Sequence, residues 1–221
     1  MNSALDLANF ELCTNTQQQY ATITEQLYSQ GYCVIEQALA ADFAMALHGQ
    51  AKASTSHYKK AEVGRGDNKH YNPAIRSDEI LWITGQTAVE AKWLSWADGL
   101  RTQLNRRLFL NLSNFESHFS HYPVGAFYRK HRDAFQGNNS RLVSVVAYLN
   151  PNWREQDAGE MLIYDEQQQQ TINVQPQLGT VAVFLSNDFP HEVLATQHDR
   201  YSIASWFSAN DPSSPVISRL R

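Results

Sequence analysis

The chain has 221 residues, of which 43% are apolar, 11% aromatic and 18% charged; that excludes a disordered or fibrous polypeptide and describes one globular domain able to bury a full core. Eighteen Lys and Arg against 22 Asp and Glu leave a formal charge of -4, so no basic field is offered to nucleic acid or to an anionic membrane. Two cysteines, Cys13 and Cys33, exclude a disulfide framework and a thiolate-rich zinc site and fit a reducing, cytoplasmic location. Residues 1–12 have neither the positive start nor the apolar run of a signal or a membrane span.

In chain order, residues 16–30 predict a helix, with Tyr20, Ile23 and Leu27 spaced three and four apart and Gly31 placed to stop it. Residues 32–35 follow as a short strand. Residues 40–55 predict a second helix, with Asp42 near its start and Phe43, Ala46 and Leu47 on one stripe. Residues 63–78, rich in Gly, Asn, Asp and Arg, read as a mobile polar loop. A long third helix over 87–109 carries Val89, Trp93, Trp96, Leu100, Leu104 and Leu108 along one side. From residue 110 the period becomes strand-like. Residues 115–122, 142–149, 160–164, 171–174, 180–185, 191–195 and 201–207 are short β-rich runs split by Gly, Pro, Asn and Asp. That spacing suits a sandwich or barrel better than a parallel α/β sheet. The predicted fold class is α+β, one domain over 1–221, with helical support over 1–110 and a β core over 111–210.

With so few thiols and eight histidines, any metal must be held by imidazole and carboxylate. Tyr128-Arg129-Lys130-His131-Arg132-Asp133 ends a predicted strand with a His and an Asp two apart, on one face of an extended chain. His191 follows 58 residues after Asp133, and Arg200 opens another apolar run nine residues beyond it. Two neutral imidazoles and one carboxylate form the facial triad suited to non-haem Fe(II), which keeps three positions open. A 2-oxo acid chelated there needs a cationic fork for its far carboxylate, and Arg200 supplies a bidentate one that a lysine would not. The other histidines have plainer readings. His48 and His57 read as solvated, His118 and His121 as packing or outer hydrogen-bonding residues, and His198 as capping a turn. Trp93 and Trp96 read as helix core.

His131-x-Asp133, His191 and Arg200 at these spacings resemble the signature of 2-oxoglutarate- and Fe(II)-dependent dioxygenases, and more narrowly of the prolyl 4-hydroxylase family, in its bacterial branch related to the hypoxia-type prolyl hydroxylases. The resemblance runs from about residue 27 to 207. It is carried also by Gly64-Arg65-Gly66-Asp67, Ile75-Arg76-Ser77-Asp78-Glu79-Ile80-Leu81-Trp82, Asn105-Arg106-Arg107-Leu108-Phe109, Tyr122-Pro123-Val124-Gly125-Ala126-Phe127-Tyr128, Tyr148-Leu149-Asn150 and Arg200-Tyr201-Ser202-Ile203-Ala204-Ser205-Trp206. It implies a double-stranded β-helix, or jelly-roll, core buttressed by the N-terminal helices. It implies His131, Asp133 and His191 as the catalytic iron ligands, Arg200 and Tyr148 on the C5 carboxylate of 2-oxoglutarate, and Tyr122 near that cosubstrate. Tyr128 and Trp206 then line the substrate pocket, and Arg76 and Asp78 stand at the hinge of a loop, residues 63–75, that closes over a peptide.

The cofactors implied are Fe(II), 2-oxoglutarate and O2, with ascorbate as reductant. The reaction implied is hydroxylation of a peptidyl proline coupled to decarboxylation of 2-oxoglutarate to succinate and CO2. Asp133 favours hydroxylation, because related halogenases carry a small residue there. The expected partner is a proline-bearing protein or peptide, elongation factor Tu being the candidate, and neither nucleic acid nor membrane. A free amino acid or another protein side chain is the alternative acceptor. A non-catalytic metal-binding β-helix sensor is the alternative outside enzymes, and the presence of all four of His131, Asp133, His191 and Arg200 argues against it.

Overall fold

The computed structural model describes residues 16–63, 70–133, 141–165, 167 and 169–209; Cys13 and the Gly64-Arg65-Gly66-Asp67 stretch lie outside them. Helix α1 (Thr16–Gln30) forms where the spacing predicts it, with Tyr20, Ile23 and Leu27 all buried on one face. It stops at Gly31, whose φ of +84° turns the chain left-handed and whose N–H reaches the carbonyls of Gln26 and Leu27. A Cβ at this position would fall 2.7 Å from the Phe189 ring, so close approach as well as dihedral calls for glycine. Helix α2 (Ala41–Ala53) buries Phe43, Ala44, Leu47 and Ala51. Helix α3 (Ala88–Leu108) begins at Thr87, whose hydroxyl accepts the Glu90 N–H at 3.1 Å, while the Glu90 carboxylate accepts the N–H groups of Thr84, Gly85 and Gln86. Trp93 and Trp96 stack in the core with ring centroids 5.1 Å apart. No helix among the described residues is long and apolar enough to cross a membrane.

The described strands form two antiparallel sheets. The larger runs β1 (Tyr32–Ile35), β9 (Val181–Leu185), β6 (Arg141–Tyr148), β11 (Arg200–Ala209), β4 (Leu112–Tyr122), β3 (Glu79–Trp82), β2 (Lys59–Lys60). The smaller runs β5 (Tyr128–His131), β10 (His191–Val193), β7 (Met161–Tyr164), β8 (Gln170–Val174). From β4 onward the chain passes back and forth between the two, with β4, β6, β9 and β11 in the larger sheet and β5, β7, β8 and β10 in the smaller. That winding is the double-stranded β-helix.

The first half contributes more than support. β1 pairs with β9 at one edge of the large sheet, and β2 and β3 extend the other edge beyond β4. Neither β2 nor β3 has the alternation that marks a strand in the sequence. β3 forms because β4 offers it a free edge, which sets Leu81 opposite Phe119 and Trp82 opposite His118; tertiary pairing decides where propensity is silent.

Strand alternation then separates two jobs on the large sheet. Ile203 and Phe207 of β11 are fully buried in the core beneath the helices, and the Trp93 indole N–H of α3 donates to Ser117 Oγ at 3.0 Å, which pairs with Ser205 Oγ at 2.8 Å. Arg200, Ser202, Ala204 and Trp206 alternate with them and line the space between the sheets.

Candidate active site

That space is a cleft of about 1160 Å³, entered from the open end of the two sheets and lined by both. His131 ends β5 and His191 begins β10, and the register of these neighbouring strands places the two residues directly opposite each other, ring centroids 4.3 Å apart. Asp133 reaches them from a bend, not from the strand. β5 stops at His131, so His131 and Asp133 do not share one face of an extended strand as the sequence predicts; a turn brings the carboxylate back. Asp133 Oδ1 lies 3.6 Å from His131 Nε2 and Oδ2 lies 3.5 Å from His191 Nε2. Among the described residues these three form a group whose possible ligand atoms all lie within 4.8 Å of one another.

Hydrogen bonds behind the group set its chemistry. His131 Nδ1 lies 2.8 Å from the Arg129 carbonyl and His191 Nδ1 3.2 Å from the Phe189 carbonyl. A carbonyl only accepts, so each Nδ1 carries its proton and each Nε2 keeps a lone pair for a metal. Ser144 Oγ donates to Asp133 Oδ2 at 2.7 Å. That uses its single proton, so the Ser186 hydroxyl, 2.8 Å away, donates to Ser144. Burial alone would raise the Asp133 carboxyl, but the positive charges that His191 and His131 carry once protonated overturn it and hold the group well below the usual carboxylate range. Burial, together with the His131 charge, pushes His191 down to about 4. Two neutral imidazole nitrogens and one carboxylate oxygen, with no thiolate, suit Fe(II).

Arg200 opens β11 opposite Tyr122 of β4, and Ser202, two residues on, stands opposite Tyr148 of β6. The Arg200 side chain is 1% exposed. Its Nε–H donates to the Gly159 carbonyl at 2.8 Å and its Nη1 to Ser202 Oγ at 3.3 Å, and no carboxylate pairs with it among the described residues. The guanidinium sits 4.8 Å from the Tyr122 ring and 5.2 Å from the Tyr148 ring. Gly159 lets it lie there: at φ +75°, a Cβ would come within 3.1 Å of Arg200 Cδ. The Tyr148 hydroxyl is buried without a hydrogen-bond partner among the described residues. Burial raises the Tyr148 and Tyr122 phenols above their ordinary range, so both stay protonated donors. A buried cation without an anion beside an unused hydroxyl is costly unless a ligand supplies the acceptor, and a carboxylate answers both.

The remaining residues singled out in the sequence surround this centre. Tyr128 stacks on His131, centroids 3.6 Å apart. Trp206 lies over the cleft with the Arg141 guanidinium 3.6 Å from its ring, and Arg141 is held by Glu116 at 2.7 Å. Arg76 grips the fully buried Asp78 with two hydrogen bonds, 2.7 and 2.5 Å, and lies 4.3 Å over the Tyr128 ring. The base of the 63–75 loop is fastened at both ends. Val63 and His70 exchange backbone hydrogen bonds, and Arg129 N–H donates to the Ile75 carbonyl; the tip, 64–69, lies outside the described residues.

One histidine reading holds and another is corrected. His118 is buried between Trp82 and Trp206. His48, expected to be solvated, is half-buried with its ring edge-on to Tyr201, and burial lowers its pKa. Ser144 and Ser186 escaped the sequence reading; the signal for Ser144 is a polar residue inside the apolar run 142–149, two and four positions from Val146 and Tyr148 on the same face.

Comparison with known proteins agrees with this geometry. Residues 117–208 match the family model of the 2OG-Fe(II) oxygenase superfamily. The structure resembles a prolyl-4-hydroxylase from Pseudomonas putida, with TM-score 0.77 and 34% sequence identity over 86% of this chain and 98% of that one. It also resembles a prolyl hydroxylase from Trichoplax adhaerens solved with a hypoxia inducible factor oxygen degradation domain peptide fragment, with TM-score 0.76 and 26% identity over 87% and 90% of the two chains. A prolyl 4-hydroxylase structure from Phytophthora capsici shares the fold at TM-score 0.67 and 22% identity, over 89% of this chain and 67% of that one.

Proposed function

Since the chain belongs to the prolyl 4-hydroxylase family of 2OG-Fe(II) oxygenases, we propose that it hydroxylates a peptidyl proline, consuming 2-oxoglutarate and O2 and releasing succinate and CO2. The observation that carries the reading is the buried Arg200 without a carboxylate partner among the described residues, set beside the unused Tyr148 hydroxyl across the cleft from the His131, Asp133 and His191 group.

His131, Asp133 and His191 would hold Fe(II) through the Nε2 atoms and a carboxylate oxygen. When bound, the metal supplies O2 activation and the cleavage of an unactivated C–H. The protein's own part is placement. Arg200 receives the C5 carboxylate of 2-oxoglutarate with a planar fork, and Tyr148 donates a further hydrogen bond to it, while Tyr122 closes the far side of the guanidinium. The Ser186–Ser144–Asp133 chain keeps the carboxylate from rotating. Tyr128 and Trp206 shape the approach to the ligand group, and Arg76, locked by Asp78, lies over the Tyr128 ring and steadies it. The low exposure of His191, Asp133 and Arg200 keeps bulk water from the oxidising centre.

The substrate we propose is a proline-bearing cytoplasmic protein, elongation factor Tu being the first to try. Purified enzyme with Fe(II), 2-oxoglutarate and ascorbate, incubated in air with proline peptides, with elongation factor Tu and, separately, with free amino acids, is expected to yield succinate and a one-oxygen mass gain located on proline of the peptide or protein. Succinate release accompanied by oxidation of free amino acids only would reassign the acceptor. No succinate under any of these conditions would refute the enzymatic reading.

A further inference from the structure

The cleft is cationic in a protein that is acidic as a whole. Lys59, Lys60, Arg76, Arg132, Arg141 and Arg200 line it, a third of all the Lys and Arg in the chain. Of the acidic residues only Glu62, Glu116 and Asp133 line it beside them, three of 22; Asp78 behind Arg76 and Glu79 opposite Lys60 in the pairing of β2 with β3 lie outside the lining. Half of these cations are already committed: Arg76 to Asp78, Arg141 to Glu116, and Arg200 to the cosubstrate end of the cleft. Asp133 is likewise committed to the ligand group.

The other three are at the mouth. Lys59 and Lys60 form β2, the outer edge of the large sheet, and Arg132 follows β5 on the small sheet, so both banks of the opening carry positive charge. All three are exposed and make no ion pair among the described residues, Lys60 resting over the Tyr71 ring at 4.9 Å. Between the lysines and the cleft floor stands Trp82, 48% exposed, its ring edge-on to buried His118. Unpaired cations around a low-dielectric groove focus a field into it, and a half-exposed indole gives an extended chain an apolar surface to lie on.

We propose that the cleft selects an acidic segment: Asp or Glu side chains flanking the target residue meet Lys59, Lys60 and Arg132 at the mouth. This deepens the prolyl hydroxylase reading and rests on it for the residue delivered to the metal. Each exposed pair contributes little alone, so selectivity comes from two or three acting together, and it is screened by salt.

The test uses the enzyme loaded with Mn(II) and 2-oxoglutarate and two labelled proline peptides, one flanked by Asp and Glu and one by Asn and Gln, read by fluorescence anisotropy. The acidic peptide is expected to bind roughly five- to tenfold tighter at low salt, with the gap closing at about 0.5 M NaCl. In Lys59→Gln/Lys60→Gln the gap should shrink, and in Lys59→Glu/Lys60→Glu a peptide flanked by lysine should become the preferred one. Both positions are exposed, and an unchanged melting temperature confirms an intact fold. Equal binding of the acidic and amide peptides overturns the proposal, as does a preference that survives the double Glu substitution undiminished. The same peptides are then given to the Fe(II) enzyme: an acidic peptide that binds selectively but gains no oxygen on proline sinks the prolyl reading and leaves the charge selection standing. No binding of any peptide counts against both.

Discussion

The two faces of the large sheet are built from the same strands and do opposite things. Towards the helices, Phe119, Val143, Val145, Ala147, Ile203 and Phe207 are at most 1% exposed and, with Trp93 and Trp96, form an apolar core. Towards the cleft, alternating with them, stand His118, Ser120, Tyr122, Ser144, Tyr148, Arg200, Ser202 and Trp206, nearly as buried but polar. Burying so many polar groups costs free energy that the apolar face must offset, and the unused Tyr148 hydroxyl and the Arg200 guanidinium mark where the cost is left for a ligand to relieve. The lesson is that a side-chain period of two lets one strand carry stability on one face and chemistry on the other. Substitutions on the two faces should therefore fail in different ways.

The largest effect should come from His131→Ala, which abolishes turnover and tight Fe(II) binding while the metal-free protein melts within about 4 °C of the parent. Phe207→Ala is its mirror. It should cost about 3–5 kcal/mol of stability by opening a cavity under the helices, yet the fraction that stays folded should keep its metal affinity. Denaturant melts paired with metal titration of both variants would break the comparison if either loses both properties together. Arg200→Lys comes next. A point charge replaces the fork, and 2-oxoglutarate affinity should fall about tenfold or more with Fe(II) affinity retained; unchanged cosubstrate affinity in a titration would defeat the assignment of Arg200.

Ser144→Ala removes the hydroxyl that holds Asp133 Oδ2, and Fe(II) or Co(II) affinity should drop about tenfold, with Ser144→Thr recovering most of it. If Thr does no better than Ala, the hydroxyl is not what positions the carboxylate. The smallest effect concerns pH. Burial first, and the Arg76 charge second, push His118 down to about 4 from an ordinary 6.5. Unfolded chains therefore bind a proton there that the fold refuses, so the histidine's contribution is complete above pH 6.5 and is lost as pH falls toward 4. His118→Gln should flatten, without erasing, the decline in melting temperature across that window, because His191 shifts in the same direction. An unchanged slope in calorimetry would show that His118 titrates normally.

Much of the architecture was legible along the chain. The 16–30 helix coincides with α1 because its apolar spacing and Gly31 agree with each other, and the Trp93 and Trp96 stripe is core because α3 has one continuous apolar side. The runs of the β half coincide with β4 and β6 to β11 within a few residues, since burial on alternate sides leaves a period of two. The edge strands β2 and β3 were not legible, because a pairing that depends on a distant free edge leaves no periodic trace in the paired residues.

For the site, residue types and spacings alone determined which ligand chemistry was available: imidazole and carboxylate without thiolate, and one arginine at a fixed distance from His191. Only the tertiary structure decided that these groups meet. The register of β5 on β10 sets His131 opposite His191, and a bend rather than a strand returns Asp133 to them. Pairing of β11 with β4 and β6 sets Arg200 between Tyr122 and Tyr148, and only packing reveals that Ser144 holds the carboxylate and that Lys59, Lys60 and Arg132 share one opening. A sequence records which side of its own strand a residue takes; which residue it faces is decided by the long-range pairing of strands tens of residues apart.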